Sequence, residues 1–249
     1  MTDSWGLVIN YDKTKGMIYR PPSMGPPDTP PPSHWTMPDG HRIQLVKTFK
    51  YVGGLTSCDG SQAPAISRRI STASYAFRNL RPVLKAFSGV DMATRRTLYN
   101  TYVLPALTYS AAETWALTDQ QWNTFSAVHN SFLRQLAGVR LGPECISNQE
   151  LYRVTGVPPL RRHIAQCRMR YLGHLARMPP GSLPRDMLMA CGIQGLPPPG
   201  GGRRRLQWLS QAVTSVNRLE TDAPIDTSQL VQLAQDRSRW KELVQKVSD

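Results

Sequence analysis

Val46-Lys47-Thr48-Phe49-Lys50-Tyr51-Val52-Gly53-Gly54 is the stretch whose reading decides the fold. Its alternation of apolar and polar residues, rich in β-branched and aromatic side chains, predicts a half-buried strand, and the closing Gly-Gly predicts a tight turn. Upstream lies a short segment interrupted by prolines. Downstream, nearly every segment has helical spacing. The expectation is an α+β chain, mainly α, with a small β region feeding a long helical arm.

Working back from that strand, Leu7-Val8-Ile9 predicts a strand that enters a polar turn at Asn10–Lys15, with a second short strand at Met17–Tyr19. Pro21–Pro38 contains eight prolines and reads as an exposed, extended loop that cannot continue a strand. Asp39-Gly40 and Cys58-Asp59-Gly60-Ser61 read as turns, and Ile43–Val52 as strand, whole or split into a hairpin.

Working forward, Ile66, Ile70, Ala73, Phe77, Leu80 and Leu84 form a helical stripe, which Pro82 ends or bends. A second helical stretch covers Asp91–Trp115 with Met92, Leu98, Tyr102, Ala106 and Tyr109 on one face. Pro105 inside it removes the bond back to Thr101, which predicts a kink or two abutting helices. Thr118-Asp119-Gln120-Gln121 and Ser147-Asn148-Gln149-Glu150 read as capping boxes, each opening a helix that stops at a glycine, Gly138 and Gly156. Trp122, Phe125, Val128, Phe132 and Leu136 form the buried face of the first. Pro158-Pro159 starts a helix striped by Leu160, Ile164, Cys167, Tyr171, Leu175 and Met178. Pro179–Gly202 reads as loop apart from a turn at Arg185–Ala190, and two helices follow at Leu206–Leu219 and Thr227–Val247.

Composition narrows the function. The 249 residues carry a formal charge of +13, which favours a polyanionic partner such as nucleic acid over an anionic membrane surface. Cys58, Cys145, Cys167 and Cys191 form no CxxC pair, which argues against a disulfide scaffold and a standard zinc module and for a reducing setting. There is no long apolar run and no basic leader at Met1–Asn10, so neither a membrane span nor a secretory signal is expected. That reading gives an intracellular setting, nucleus or cytoplasm undecided. GxSxG, Walker and HExxH motifs do not occur, leaving hydrolase and nucleotidase chemistry, or a small-molecule ligand, without an anchor.

Several stretches together resemble a known family. Gly6-Leu7-Val8-Ile9-Asn10 with Lys13-Thr14, Phe49-Lys50-Tyr51-Val52-Gly53, Leu98-Tyr99-Asn100-Thr101, Val103-Leu104-Pro105, Tyr109 and Glu113-Thr114-Trp115 fall in the order seen in non-LTR (LINE-type) retrotransposon endonuclease–reverse transcriptases. Ser147–Leu151, Thr155-Gly156, Pro158-Pro159-Leu160, Arg170–Met178 and Asp236-Arg237-Ser238-Arg239-Trp240 continue the likeness. The resemblance implies the end of the palm over 1–61 with the Pro-rich loop at 21–38, and a thumb-like helical region over 62–140. Beyond these it implies a basic helical connection over 141–178, a Pro/Gly/Arg linker over 179–205 and C-terminal helices over 206–249. It implies RNA-directed DNA polymerisation as the parent activity, with Mg²⁺ held by aspartates that include an adjacent pair. No Asp-Asp dipeptide occurs here, and the chain starts after the place where the pair should stand, so a fragment without a complete catalytic set is expected.

Within that resemblance, Lys13 is implied as general acid of the parent enzyme, the alternative being a solvated turn lysine. Lys50, Tyr51, Gly53 and Gly54 are implied as a primer-grip hairpin, the glycines admitting a nucleic-acid strand close to the backbone, the alternative being an ordinary hairpin on the core. From the residues themselves, the run from Arg140 to Ser210 holds 11 Arg, no Lys and three acids. Arg162, Arg170 and Arg177 fall on one side of the helix starting at Leu160, Arg161 and Arg168 on the other, and Arg203-Arg204-Arg205 follows a glycine run. All are read as nucleic-acid contacts, the alternative being a solubilising face, and the resemblance implies RNA or an RNA/DNA template–primer duplex as the partner. His163, Cys167 and His174 project at similar angles but lack zinc-module spacing and read as packing at the edge of the core. No metal site and no cofactor is assigned to this chain. The rival readings are a relic without selected function and a stand-alone basic helical binding or interaction module.

Overall fold

A computed structural model of the chain describes residue 6 and residues 9–20, 24–25, 29–51, 53–86, 89–109, 112–115, 117–139, 146–193 and 227–247. The fold is α+β and mainly helical, with a few short strands. Contacts divide it into two compact units, Met1–Arg69 and Ile70–Asp249.

In the first unit, strands β1 (Lys15–Gly16), β2 (His34–Thr36) and β3 (Arg42–Leu45) form a sheet of order β1-β3-β2, β1 parallel and β2 antiparallel to β3. β4 (Thr48–Tyr51) and β5 (Gly54–Ser57) form a separate antiparallel hairpin in which Tyr51 pairs with Gly54. The strand read at Val46–Gly54 therefore begins at Thr48, and Gly53, at φ 82°, lies in the turn before Gly54. Gly54 is already strand. The half-buried reading also fails, because Thr48, Lys50 and Tyr51 are exposed and Phe49 is only partly covered. Ile43–Val52 splits between two sheets rather than into one hairpin.

Two more upstream expectations shift. The strand read at Met17–Tyr19 lies at Lys15–Gly16, and the proline-rich loop contains β2. Its three residues follow the last of the clustered prolines, so their N–H groups are free to pair with β3. Gly16 is what lets Trp35 lie across β1: a Cβ there would stand 2.6 Å from Leu45 Cδ2 and 2.9 Å from the Trp35 ring. Ile9 shows no regular structure, and the rest of the Leu7–Ile9 strand reading falls outside the described residues.

Helix α1 (Ala63–Ala86) runs through Pro82 without ending, and its stripe is buried as read except at Ile70, which is half-covered. In the second unit, α2 (Met92–Leu98) passes into a π-helical turn at Tyr99–Val103 and then α3 (Leu104–Thr108). The π turn stands directly before Pro105, where the Leu104 N–H reaches back to Tyr99 O. A wider turn gives the Thr101 carbonyl room beside the proline ring, which has no N–H to offer it. The extra residue per turn also rotates the buried face. Tyr99, Val103 and Leu107 are fully buried while Tyr102 and Tyr109 are 61% and 58% exposed, so the face read at Met92–Tyr109 is the wrong one.

Local chemistry sets the next boundaries. Thr118 and Gln121 close the full capping box of α4 (Asp119–Ala137), which ends on left-handed Gly138. Ser147 caps α5 (Asn148–Thr155) by accepting from Glu150 N, but the Glu150 carboxylate turns to Arg153 instead of closing the box. α6 (Leu160–Ala176) follows Pro159. Pro179–Gly202 is not simply loop, since α7 occupies Leu183–Ile193. Thr227–Val247 is not one helix: α8 (Thr227–Gln235) and α9 (Arg237–Lys246) meet at Asp236, whose carboxylate caps α9 through Ser238 N and Arg239 N. The helix read at Leu206–Leu219 lies outside the described residues.

α6 organises this unit. One side packs on α4 and on a 3₁₀ turn at Ala112–Thr114. The other builds a core from Met169, Leu172 and Ala176 with Leu188 of α7, Leu230 and Ala234 of α8, and Trp240 and Leu243 of α9. Of the stripe read on this helix, Leu160, Ile164 and Leu175 are buried as read, while Cys167, Tyr171 and Met178 are only partly covered and Met169 and Leu172 are fully buried. Trp240 packs against the bare backbone at Gly173, and its indole N–H donates to Met169 O at 2.9 Å. A Cβ at 173 would come within 2.8 Å of the indole ring. Helix propensity favours alanine over glycine by about 1 kcal/mol, so any loss isolates the packing term. Gly173→Ala is expected to destabilise by about 2 kcal/mol and red-shift tryptophan emission, while Gly89→Ala, with nothing within 4 Å of its Cβ, stays near neutral. Urea unfolding followed by fluorescence checks both.

Candidate nucleic-acid interface

The residues singled out in the sequence fall in three settings. Lys13 is exposed in a tight turn that Asn10 closes, through Asn10 Oδ1 and O to the Lys13 N–H at 3.1 and 3.2 Å and through Thr14 Oγ1 to Asn10 O at 2.8 Å. The Asn10–Thr14 pattern thus has a structural reason of its own, an Asx-type turn. Among the described residues no group of three or more His, Cys, Asp or Glu could hold a metal ion.

At the hairpin, Lys50 and Tyr51 are exposed, and as strand neighbours they point to opposite faces. They cannot line one surface of the same strand. Tyr51 stands opposite the side-chain-free Gly54 and is 70% exposed. The Gly53 carbonyl accepts from the Arg69 guanidinium, which ties the turn to the first turns of α1.

The arginines of α6 divide sharply. Arg168 is buried, donates to Trp115 O and lies 5.6 Å from the Trp122 ring centroid. Burial alone lowers its pKa to about 10. It supports the packing of α6 on α4 and cannot reach a phosphate, which corrects its reading as a surface contact. Arg161 lies over the same ring at 5.1 Å. Arg162 Nη2 donates to Gln245 O at 3.2 Å near the end of α9, and Arg177 Nη1 to Ala234 O at 2.8 Å near the end of α8. Arg95 does the same for Leu136 O of α4 at 3.1 Å. Helix C-termini leave carbonyls without partners, and guanidinium groups meet both that need and the negative end of the dipole. Arg170 is exposed, with its Nη1 3.8 Å from Cys167 Sγ. Arg203, Arg204 and Arg205 lie outside the described residues.

His163 and Cys167 adjoin at 3.7 Å, while His174 is exposed. Burial holds the Cys167 thiol above its usual range and the His163 imidazole below its own. The thiol is kept protonated rather than activated.

Sequence reading missed the polar centre of this unit. Tyr99 OH lies 2.8 Å from His129 Nδ1, and His129 Nε2 lies 3.2 Å from Pro158 O. A carbonyl only accepts, so Nε2 carries the proton, Nδ1 is the acceptor and the tyrosine donates. Burial lowers the His129 pKa to about 4 and raises that of Tyr99. The one cue in the sequence was the histidine one residue after Val128, on a helix face that is otherwise apolar.

In comparisons with known proteins, the chain is 23% identical over 244 residues to F52C9.6 of Caenorhabditis elegans, described as an uncharacterized transposon-derived protein. The match spans 97% of this chain and 84% of that protein. This likeness points to a transposon origin. No family model matches, and no solved structure matches. Among the described residues no helix is long and apolar enough to cross a membrane.

The His129 shift fixes a pH dependence. Between its unfolded pKa near 6.5 and its folded pKa, the unfolded chain binds the proton that the folded chain refuses, so stability is complete above about pH 6.5 and falls on acidification toward pH 4. His163 shifts the same way and adds to the slope. From pH 7 to pH 5 the expected loss through His129 is about 2 kcal/mol. Urea titrations at the two pH values should show this loss, and His129→Gln should remove most of it.

Proposed function

We propose that this chain corresponds to the thumb-side part of a non-LTR retrotransposon reverse transcriptase, and that on its own it binds nucleic acid without polymerising. Its partner is RNA or an RNA/DNA template–primer duplex. The observation that carries the reading is α6, which holds no acid from Leu160 to Ala176 and keeps Arg162, Arg170 and Arg177 outside the core. A solubilising face normally mixes signs; one without acids suits a polyanion. The transposon-derived relative and the ordered run of family-like stretches support the retroelement origin.

On chemical grounds this chain is expected not to polymerise. Two-metal phosphoryl transfer needs carboxylates to hold the ions, and this sequence contains no adjacent aspartate pair. A second reading, a retroelement relic, is favoured by the N-terminal unit, where Tyr51, Met24 and Trp35 are 70%, 64% and 44% exposed. Cooperative thermal unfolding of a monomer would count against the relic.

The purified chain, given a primed RNA template, dNTPs and Mg²⁺, is expected to add no nucleotide; template-dependent extension would overturn the assignment. In the same preparation, affinity for an RNA/DNA hybrid should fall at least tenfold between about 50 and 200 mM salt, as expected for phosphate neutralisation. Absence of binding at the lower salt would remove the nucleic-acid reading.

A further inference from the structure

The exposed sides of α6 and α9 form a single surface. Trp240 sits on Gly173, Arg162 reaches Gln245 O and Arg177 reaches Ala234 O, so α9 runs antiparallel to α6 and its first turn lies beside the end of α6. Arg237 and Lys241 are both exposed and stand four residues apart, which stacks them on one side of α9. Glu242 points about 100° further round the helix. We propose that Arg162, Arg170 and Arg177 of α6 with Arg237 and Lys241 of α9 form a docking face for the sugar–phosphate backbone of a double-stranded nucleic acid. The proposal rests on the nucleic-acid reading above and adds to it the surface and the preference for duplex.

Three observations favour duplex backbone. The ridge from Arg162 to Arg177 is about 22 Å long at 1.5 Å per helical residue, enough to face roughly six phosphates of one strand. Arg162 and Arg177 each give one N–H to a main-chain carbonyl, so their guanidinium planes are held in place before any ligand arrives. Single-strand binding draws on exposed aromatic platforms, and among the described residues this surface shows none: Trp240 is buried and Tyr171 packs against the core. The apposition of like charges supports the arrangement, since burial and, after it, the charge of Arg237 hold Arg177 below the usual guanidinium range. Phosphate between such cations relieves that repulsion.

The test uses the full chain, a 20-base-pair RNA/DNA hybrid and one of its single strands, read by fluorescence anisotropy at two salt concentrations. The wild type should bind hybrid more tightly than single strand. Arg237→Glu with Lys241→Glu should weaken hybrid binding about tenfold or more and lower the salt slope by about two. Arg239→Glu with Lys246→Glu, the same charge change on the other side of α9, should stay within about threefold of wild type. Arg170→Gln gives a milder second probe, with an expected loss of about threefold, and circular dichroism confirms that each variant is folded. Wild-type binding that the Arg237/Lys241 variant leaves unchanged would overturn the face while sparing the nucleic-acid reading. Preference for the single strand would overturn the duplex assignment. No binding to either would remove both, and face-dependent binding only to anionic lipid vesicles would replace nucleic acid with a membrane surface.

Discussion

The seat of Trp240 on the bare backbone of Gly173 is the contact on which the C-terminal unit depends. α6 is covered on two sides, by α4 with the 3₁₀ turn and by α7 to α9, and the second cover is anchored where the indole meets the helix. A large aromatic can lie that close to a helix only where the helix lacks a side chain, and its N–H then finds the Met169 carbonyl instead of remaining unsatisfied. Two of the family-like stretches, Arg170–Met178 and Asp236–Trp240, are the two halves of this contact. Asp236 belongs to it as well: by capping α9 it ends α8, and the change of direction brings Trp240 over α6.

The arginines look different once they are placed. A chain of charge +13 invites the reading that every guanidinium awaits a phosphate. Several instead finish the hydrogen bonding of their own fold. Arg95, Arg162 and Arg177 donate to carbonyls near the ends of α4, α9 and α8, Arg69 holds the Gly53 turn, and Arg168 is spent inside. Lysine could supply the charge at these positions but not the planar fork that lets Arg162 or Arg177 bond a carbonyl and still face outward. Basicity and structure are thus carried by the same residues, and charge counting alone could not separate them.

Features encoded locally were legible in the sequence, and those depending on distant partners were not. Thr118, Ser147, Gly138 and Gly156 announce helix ends because a cap needs only its neighbours. β2 was hidden because a strand of three residues beside prolines is defined by β3, not by itself. The buried face of residues 92–109 was misread because Pro105 inserts a π turn and the 3.6-residue period no longer applies across it. Arg168 was placed outside because helical spacing gives an angle and not what stands there, which is Trp122 and the Trp115 carbonyl. Of the candidate interface, the acid-free run on α6 could be read directly. Its continuation on α9 could not, because Arg237 and Lys241 lie about sixty residues beyond Arg177 and only the indole contact brings them alongside.

The hydrogen-bond chain from Tyr99 through His129 to the Pro158 carbonyl has a kinetic side. Its hydrogen bonds all run one way, from the π turn through α4 to the residue pair that opens α6. The tyrosine hydroxyl and the imidazole are fully buried, and each N–H or O–H is held by the next acceptor in the chain. Their protons can trade with solvent only when α4 lifts from its neighbours. The exchange lifetime of that imidazole proton is therefore a built-in clock for the opening of the helical unit.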